Sequence, residues 1–385
     1  MRRTHKVRLR KYAFCVAVIL LSPFMAAGMI KMVPAISVAA GKVANLSAGI
    51  TLGEVLPKEN ALPDGESVTP SFSPIANETL MLSTGYDLHP SAENEEAIVN
   101  DTSGDTGPKP YPDSMEAHSG VITTVQYSAS VGTQFFSLDK GAQVRNTTSV
   151  DSATLLAESR QLPEFKIDLN AEPQVLIMHT HTTESYEPYA RDFYDASFNS
   201  RTTDESKNVV SVGNRIQEQL AAAGIGVIHD KTIHDYPSYN GSYDRSRVTI
   251  QAILEQYPSI KVVLDIHRDA IEKDDGSRVA PVAAIDGKQA AQVMIIAGAD
   301  NGKLNMPNYM KNFRFASLLQ SQMENDYPGL TRPILFAYRN YNQDMTTGSI
   351  LIEVGGHANS IDQAQYAGEL VGKSLVSVLE SLKSK

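Results

Sequence analysis

From Pro173 to the C-terminus, apolar and polar positions switch repeatedly between two periods. Val175–Met178 is an unbroken apolar run, the mark of a strand buried on both faces. Lys207–Ala223 follows with Val209, Val212, Ile216 and Leu220 at helical spacing, and Gly224 stands where a helix stop is expected. Ile225–Ile228 reads as a second strand, and Asp244–Tyr257 as a helix ended by Pro258. Ile260–Ile266 is a third strand, rich in Val and Ile and apolar enough to be central. Val279–Ile285 and Ala290–Ala297 flank Asp286-Gly287, a strong hairpin signal. Asn308–Asn325 is a helix, Ile334–Tyr338 and Ser349–Val354 are strands, and Ile361–Leu382 is a last amphipathic helix behind the cap residue Ser360. Strands separated by helices predict an α/β fold with a mostly parallel central sheet covered by helices on both faces. The Asp-Gly hairpin adds an antiparallel pair, so the expected sheet is mixed. Upstream, Val121–Tyr127 and Gln134–Leu138 read as short strands of an N-terminal extension packed on this domain.

The beginning of the chain has a different pattern. Arg2, Arg3, Lys6, Arg8, Arg10 and Lys11 precede an apolar run, Tyr12–Ile30, interrupted by Ser22 and Pro23. That run is long enough to cross most of a bilayer as a helix. The flanking charges would stay inside and the rest of the chain would lie outside, as a single-pass membrane protein with an extracytoplasmic domain. An uncleaved signal anchor is the expectation, and a cleaved signal peptide is its alternative. Between Asp64 and Ala117 there are eleven acids against Lys109 alone, with many Ser, Thr, Pro and Gly. Such a segment buries too little apolar area to offset ordering and reads as an acidic spacer; a tail that binds a partner is the alternative. The expected layout is therefore 1–32 basic start and transmembrane anchor, 33–117 juxtamembrane segment and disordered acidic spacer, 118–172 N-terminal extension, and 173–385 catalytic domain.

The net charge of −10 hides an asymmetry, because the six cations of that basic start leave −16 on the rest of the chain. An acidic body without a basic stripe argues against nucleic acid, whose binding rests on neutralising phosphates. The one cysteine, Cys15, lies inside the apolar run, so the body has no disulfide and no thiolate for metal or catalysis. Any metal there must be held by His, Asp or Glu.

Three strands end in residues that suit this. The first runs into His179-Thr180-His181 and Glu184, the third ends Asp265-Ile266-His267-Arg268-Asp269, and Ile350-Leu351-Ile352 leads into Glu353. If the strands are parallel neighbours, these ends meet at one sheet edge, where ligands sit in open α/β sheets. A zinc hydrolase needs three protein ligands, one open position and a carboxylate to carry the proton. His179 or His181, together with His267, supplies two ligands. Glu353 suits the proton carrier, because a carboxylate in an apolar strand is costly without a partner or a task. Arg268 and Asp269 are read as supports of the site. His229, His234 and Tyr239 fall in a loop rich in Pro, Ser, Tyr and Asn, read as a wall of the substrate groove. His229-Asp230 and His234-Asp235 match a phosphohydrolase metal motif only superficially, since the helical context is missing.

The chain resembles the stage II sporulation protein P family of endospore-forming bacteria. The resemblance is carried by His179-Thr180-His181-Thr182-Thr183-Glu184-Ser185-Tyr186, by Lys207-Asn208-Val209-Val210, and by His229-Asp230-Lys231 with Asp235-Tyr236-Pro237-Ser238-Tyr239-Asn240. Asp265–Asp269 and Glu353-Val354-Gly355-Gly356-His357-Ala358-Asn359 complete it, over roughly 120–385. The family is similar in turn to zinc-dependent N-acetylmuramoyl-L-alanine amidases. That implies a peptidoglycan hydrolase of engulfment, an amidase that also cuts peptide cross-links. It implies a zinc cofactor and, as partners, peptidoglycan, the membrane, the lytic transglycosylase stage II sporulation protein D, and stage II sporulation protein M. Glu353 and Asn359 keep the six-residue spacing of the amidases' catalytic Glu and following Asn, and His267 matches their second histidine. For their first histidine, His181 fits by distance from the strand, with His179 its alternative. For their zinc glutamate, the resemblance points to Glu205, one residue out of phase, with Glu184 its rival. Two other readings stand beside this one: a wall-binding or scaffold protein with an amidase-like fold and no metal, and a metal-dependent esterase or deacetylase acting on wall glycans.

Overall fold

A computed structural model describes residues 109–169 and 172–384 of this chain. The basic start, the apolar run and nearly all of the acidic spacer lie outside the described residues. In chain order the elements are β1 (Gly120–Val125), β2 (Phe135–Ser137), β3 (Gln143–Asn146), α1 (Ser152–Ser159), β4 (Val175–Met178), β5 (Phe193–Tyr194), α2 (Val209–Ala222) and β6 (Val227–His229). Then come α3 (Ser242–Gln256), β7 (Val262–Asp269), β8 (Arg278–Ile285), β9 (Lys288–Ala291), β10 (Val293–Gly298), α4 (Tyr309–Asp326), β11 (Ile334–Ala337), β12 (Gly348–Gly356) and α5 (Ile361–Ser381).

The main sheet has eight strands in the order β2-β3-β11-β10-β12-β7-β4-β6. It is mixed and mostly parallel: only β2 against β3 and β10 against β12 run antiparallel. β4, β7 and β12 lie side by side and parallel, and every residue in them is buried. Their apolar runs follow from that position, because both faces of each strand are covered.

One face of the sheet carries Val175, Ile177, Leu264, Ile266, Ile350, Ile352 and Val354, packed in one core with residues of α2, α4 and α5. The opposite face carries Leu176, Met178 and Val263 against Ile250 of α3. Helix boundaries have local causes. Asn208 caps α2 through Val210 N–H at 2.9 Å, and Gly224 follows its end with φ +73°. Ser360 and Gln363 form a reciprocal capping box at the start of α5. α1 adds a short helix to the expected elements, with Asp151 accepting from Thr154 N–H at 3.1 Å.

The structure corrects one expectation about the hairpin. Asp286-Gly287 does turn β8 into β9, with Ile285 opposite Lys288. That pair belongs to a separate four-stranded sheet, β5-β1-β8-β9, and not to the main one. The apolar run Ala290–Ala297 divides at Gln292, whose side chain bonds Tyr127 on both of its backbone groups, at 2.7 and 2.9 Å. Beyond it the chain enters the main sheet as β10. The antiparallel contacts of the main sheet therefore come from β10 against β12 and from the β2–β3 edge.

α2 and α5 cross at two glycines. A methyl group on Gly368 would meet the Val212 carbonyl oxygen at 2.9 Å, and one on Gly372 the Ile216 Cα at 3.1 Å. Close approach of the two backbones requires both positions to lack a side chain. Gly368→Val is expected to cost about 1–3 kcal/mol through overpacking. Urea unfolding checks this, and an unchanged midpoint would show that the crossing has slack.

Candidate metal centre

The parallel register of β4, β7 and β12 brings their carboxyl ends together. Glu353 of β12 is paired with His267 of β7, so both side chains leave the same face, the α3 side. On β4 the same alternation separates the two histidines. Val175 and Ile177 face α2, and His179 continues that side; Thr180 faces α3 and bonds Ser246 Oγ at 2.9 Å. After Thr180 the chain turns, and His181 is released from the strand's alternation into the site.

His181, Glu184 and His267 form a buried group whose donor atoms all lie within 4.8 Å of one another. Both imidazoles turn Nδ1 toward the carboxylate: His181 is 3.5 Å from Glu184 Oε1 and His267 is 3.5 Å from Glu184 Oε2. Their far nitrogens are also held. His181 Nε2 lies 3.1 Å from Ser242 Oγ at the start of α3. His267 Nε2 lies 2.8 Å from Asp265 Oδ1, an ion-pair approach outside hydrogen-bond alignment. Asp265 is itself fixed by the Thr180 N–H and hydroxyl, at 2.8 and 2.7 Å.

Glu184 is held on its other side by the Arg268 backbone N–H at 3.0 Å and by Arg201 Nη2 at 3.7 Å. The Arg268 guanidinium does not pair with the Asp269 carboxylate. It clamps the Glu184 loop by donating to the Ser185 and Ser200 carbonyls, at 2.8 and 3.0 Å. Asp269 accepts instead from buried Arg332, at 2.8 Å. Burial works against the Glu184 carboxylate. Hydrogen bonds from His181 and His267, then the charges of His267 and Arg268, overcome it and hold the group well below the usual carboxylate range. Burial likewise works against a charged His267, and the Asp265 carboxylate, then Glu184, raises it well above the usual imidazole range. Asp265 and Glu184 thus demand a positive charge between them, which a proton or a divalent ion supplies.

This donor set fits zinc. Two imidazoles and one carboxylate, each oriented from behind, match the three-ligand pattern that leaves a coordination position open. The open side faces a cavity of about 280 Å³, lined by His181, Glu184, His267, Tyr239, Tyr243 and Glu353 among others. Glu353 Oε2 is buried and has no hydrogen-bond partner. Burial, then the charge of Asp269, pushes its carboxyl well above the usual range.

The remaining expected site residues are placed elsewhere. His179 is fully buried behind the site, with Nδ1 2.9 Å from the Ile266 carbonyl and Nε2 2.8 Å from His229 Nε2. Gly213 of α2 leaves room for that pair, since a methyl group there would meet His229 Nε2 at 2.6 Å. Burial pushes His179 down to about 4. Glu205 is not brought to the group. Helix α2 starts only at Val209, so Glu205 falls in the preceding turn, exposed and paired with Lys231 at 2.9 Å. Asn359 braces the turn between β12 and α5, with Oδ1 accepting from Gly356 N–H at 2.8 Å and Nδ2 donating to the Pro281 carbonyl at 3.0 Å. Tyr239 stacks on His181, with ring centroids 4.4 Å apart. Two contributors to the site went unread in the sequence, Ser242 and Tyr243, and Asp265 is read there only as part of its strand's polar end, without a task. Alternation in β7 puts Asp265 beside His267, which is a usable signal. Ser242 and Tyr243 carry none, because only the packing of α3 brings them there.

Residues 91–375 match the family model "Stage II sporulation protein P (SpoIIP)". The chain belongs to the stage II sporulation protein P family. Stage II sporulation protein P of Bacillus subtilis (strain 168) is 30% identical over 235 residues, covering 58% of this chain and 55% of that relative. The chain therefore matches about half the length of that relative. Among solved structures, similarity is found to the N-acetylmuramoyl-L-alanine amidase AmiC2 of Nostoc punctiforme, at 9% identity and a TM-score of 0.33, covering 54% of this chain and 96% of that one. The CwlD amidase from Clostridioides difficile, solved in complex with the GerS lipoprotein, gives 11% identity and a TM-score of 0.35, covering 54% and 99%. At such scores the likeness carries no argument about this chain.

The contacts behind the group predict how it responds to substitution. Asp265→Asn is expected to weaken zinc binding about 10–100-fold, because it removes the carboxylate that orients His267. Glu205→Gln is expected to leave zinc binding unchanged. Competition with a chromophoric chelator measures both, and loss of metal in the Glu205 variant would overturn the ligand set.

Proposed function

We propose that this chain is a peptidoglycan hydrolase of sporulation and engulfment, a zinc-dependent N-acetylmuramoyl-L-alanine amidase that also cuts peptide cross-links. The observation that carries this reading is the buried His181–Glu184–His267 group sharing one cavity with the unpartnered carboxyl of Glu353. Membership of the stage II sporulation protein P family supports the setting. His181, Glu184 and His267 would hold the zinc, which supplies Lewis acidity toward the scissile carbonyl and a lowered pKa for water.

The chain's own residues do the rest. Glu353 takes a proton from the attacking water and passes it to the nitrogen of the leaving amine. A carboxyl pushed upward by burial suits both halves of that transfer, since an acid–base group works best with its pKa near the working pH. Asp265 and Ser242 keep the two imidazoles turned toward Glu184. Arg268 holds the Glu184 loop against the end of β7, and Tyr239 walls the cavity beside His181.

The rest of the reading is proposed on the same footing. Tyr12–Ile30 would anchor the chain in the membrane, with 173–385 on the outer side facing the wall. Stage II sporulation proteins D and M would be its companions there.

Glu353→Gln is expected to retain zinc while lowering the release of stem peptides from purified wall by at least about 10²-fold. Metal analysis and product mass spectrometry of both proteins check this. Native-rate release by the variant would remove Glu353 from the mechanism. Digestion by the native protein that persists in chelator, or products that have lost only acetyl groups, would overturn the amidase reading itself.

A further inference from the structure

The cavity holds a polar group that the mechanism above does not use. Tyr243 is the second residue of α3, directly after Ser242, which holds His181. Its ring meets both imidazoles of the proposed ligand set. It is edge-on to His181 with centroids 5.5 Å apart, and parallel to His267 at 6.5 Å and 9°. Tyr341 backs it from the other side, stacked at 5.1 Å and 22°. The ring is thus held among three aromatic neighbours, and it lines the same cavity as Glu353.

Within this frame the Tyr243 hydroxyl makes no hydrogen bond among the described residues. Tyr239 differs, since its hydroxyl lies 3.5 Å from His181 Nδ1 and its ring stacks on that imidazole. Tyr243 is half-buried and its hydroxyl is not among the fully buried unpartnered atoms, so water or a ligand in the cavity can complete it. A phenol holds its proton through neutral pH, so the hydroxyl acts as a donor. Glu353 and Tyr243 thus enter one cavity from different elements, β12 and α3. One is able to carry a proton, and the other to donate a hydrogen bond without losing one.

We propose that the Tyr243 hydroxyl is a further catalytic residue, donating a hydrogen bond to the scissile carbonyl oxygen as negative charge builds on it. This rests on the amidase reading. In that reaction the water oxygen bonds to the carbonyl carbon, and the carbonyl π-electrons move onto its oxygen. They return as the carbon–nitrogen bond breaks. The water proton travels through Glu353 to the amine. Tyr243 stays protonated throughout, so no oxidant, reductant or second reactant is required. A donor fixed in advance and aimed at developing charge acts mainly on the transition state.

The test compares the full native chain with Tyr243→Phe. The phenyl ring preserves every stacking contact and removes only the hydroxyl, which holds no other residue. Three measurements are made: zinc content with the thermal midpoint, kcat and KM for release of stem peptide from a defined muramyl peptide, and affinity for a phosphinate analogue that mimics the tetrahedral carbon. The expected result is native zinc content and midpoint, kcat reduced about 10²-fold, nearly unchanged KM, and phosphinate affinity reduced by a similar factor. Native kcat in the variant would overturn the proposal, as would a raised KM with kcat intact, which marks a substrate-binding contact. A drop in zinc content or midpoint would assign the hydroxyl to folding and also overturn it. If the native chain itself releases no stem peptide, it is the amidase reading that fails. Phosphinate affinity then still reports whether the hydroxyl meets a tetrahedral centre.

Discussion

A carboxylate buried between two strand ends organises this molecule. Glu184 is only 1% exposed, at the floor of the cavity, and an ionised group so placed must be met by charge and hydrogen bonds from the protein. The loop from His179 to Asn208 is arranged to do this. His181 and His267 approach its two oxygens, Arg268 N–H closes one side and Arg201 the other. The backbone carbonyl of Glu184 accepts from Val209 N–H at 2.8 Å, so the residue is also tied to the start of α2. Asp235 pins the same loop through Thr183, whose hydroxyl it accepts at 2.7 Å. Removing one of these partners would leave the others facing uncompensated charge. The loop therefore behaves as one unit, not as a set of separate contacts.

Much of the architecture was legible because burial and period agree. The runs of β4, β7 and β12 are apolar on both faces, as central parallel strands must be. Their polar endings marked the edge where the site lies. The hairpin turn was also legible, but not the sheet it belongs to. Ala290–Ala297 looks like one strand, and only the side-chain hold of Gln292 on Tyr127 shows where it divides. Sequence pattern records which residues are buried, not which sheet buries them.

The site was legible to a lesser degree. His267 and Glu353 sit on strands, where alternation fixes their direction. The choice between His179 and His181 depends on a turn that breaks the alternation, and the choice between Glu184 and Glu205 depends on where α2 begins. Asn208 sets that start, which leaves Glu205 in solvent with Lys231. Tyr243 reaches the cavity by the packing of α3 alone. Residues delivered by tertiary docking leave no periodic trace.

The position of β12 has a consequence in time. It is the last strand among the described residues, yet it lies between β10 and β7 in the middle of the sheet. As a ribosome makes the protein from its N-terminus, His181, Glu184 and His267 emerge well before Glu353. The pairings of β12 with β10 and with β7 can form only once this late segment has emerged, and Glu353 joins the group with it. A chain cut short before β12 would hold His181, Glu184 and His267 but lack Glu353. The strand order thus places the last-made strand among the described residues at the centre of the sheet, where it lines the cavity beside strands made earlier.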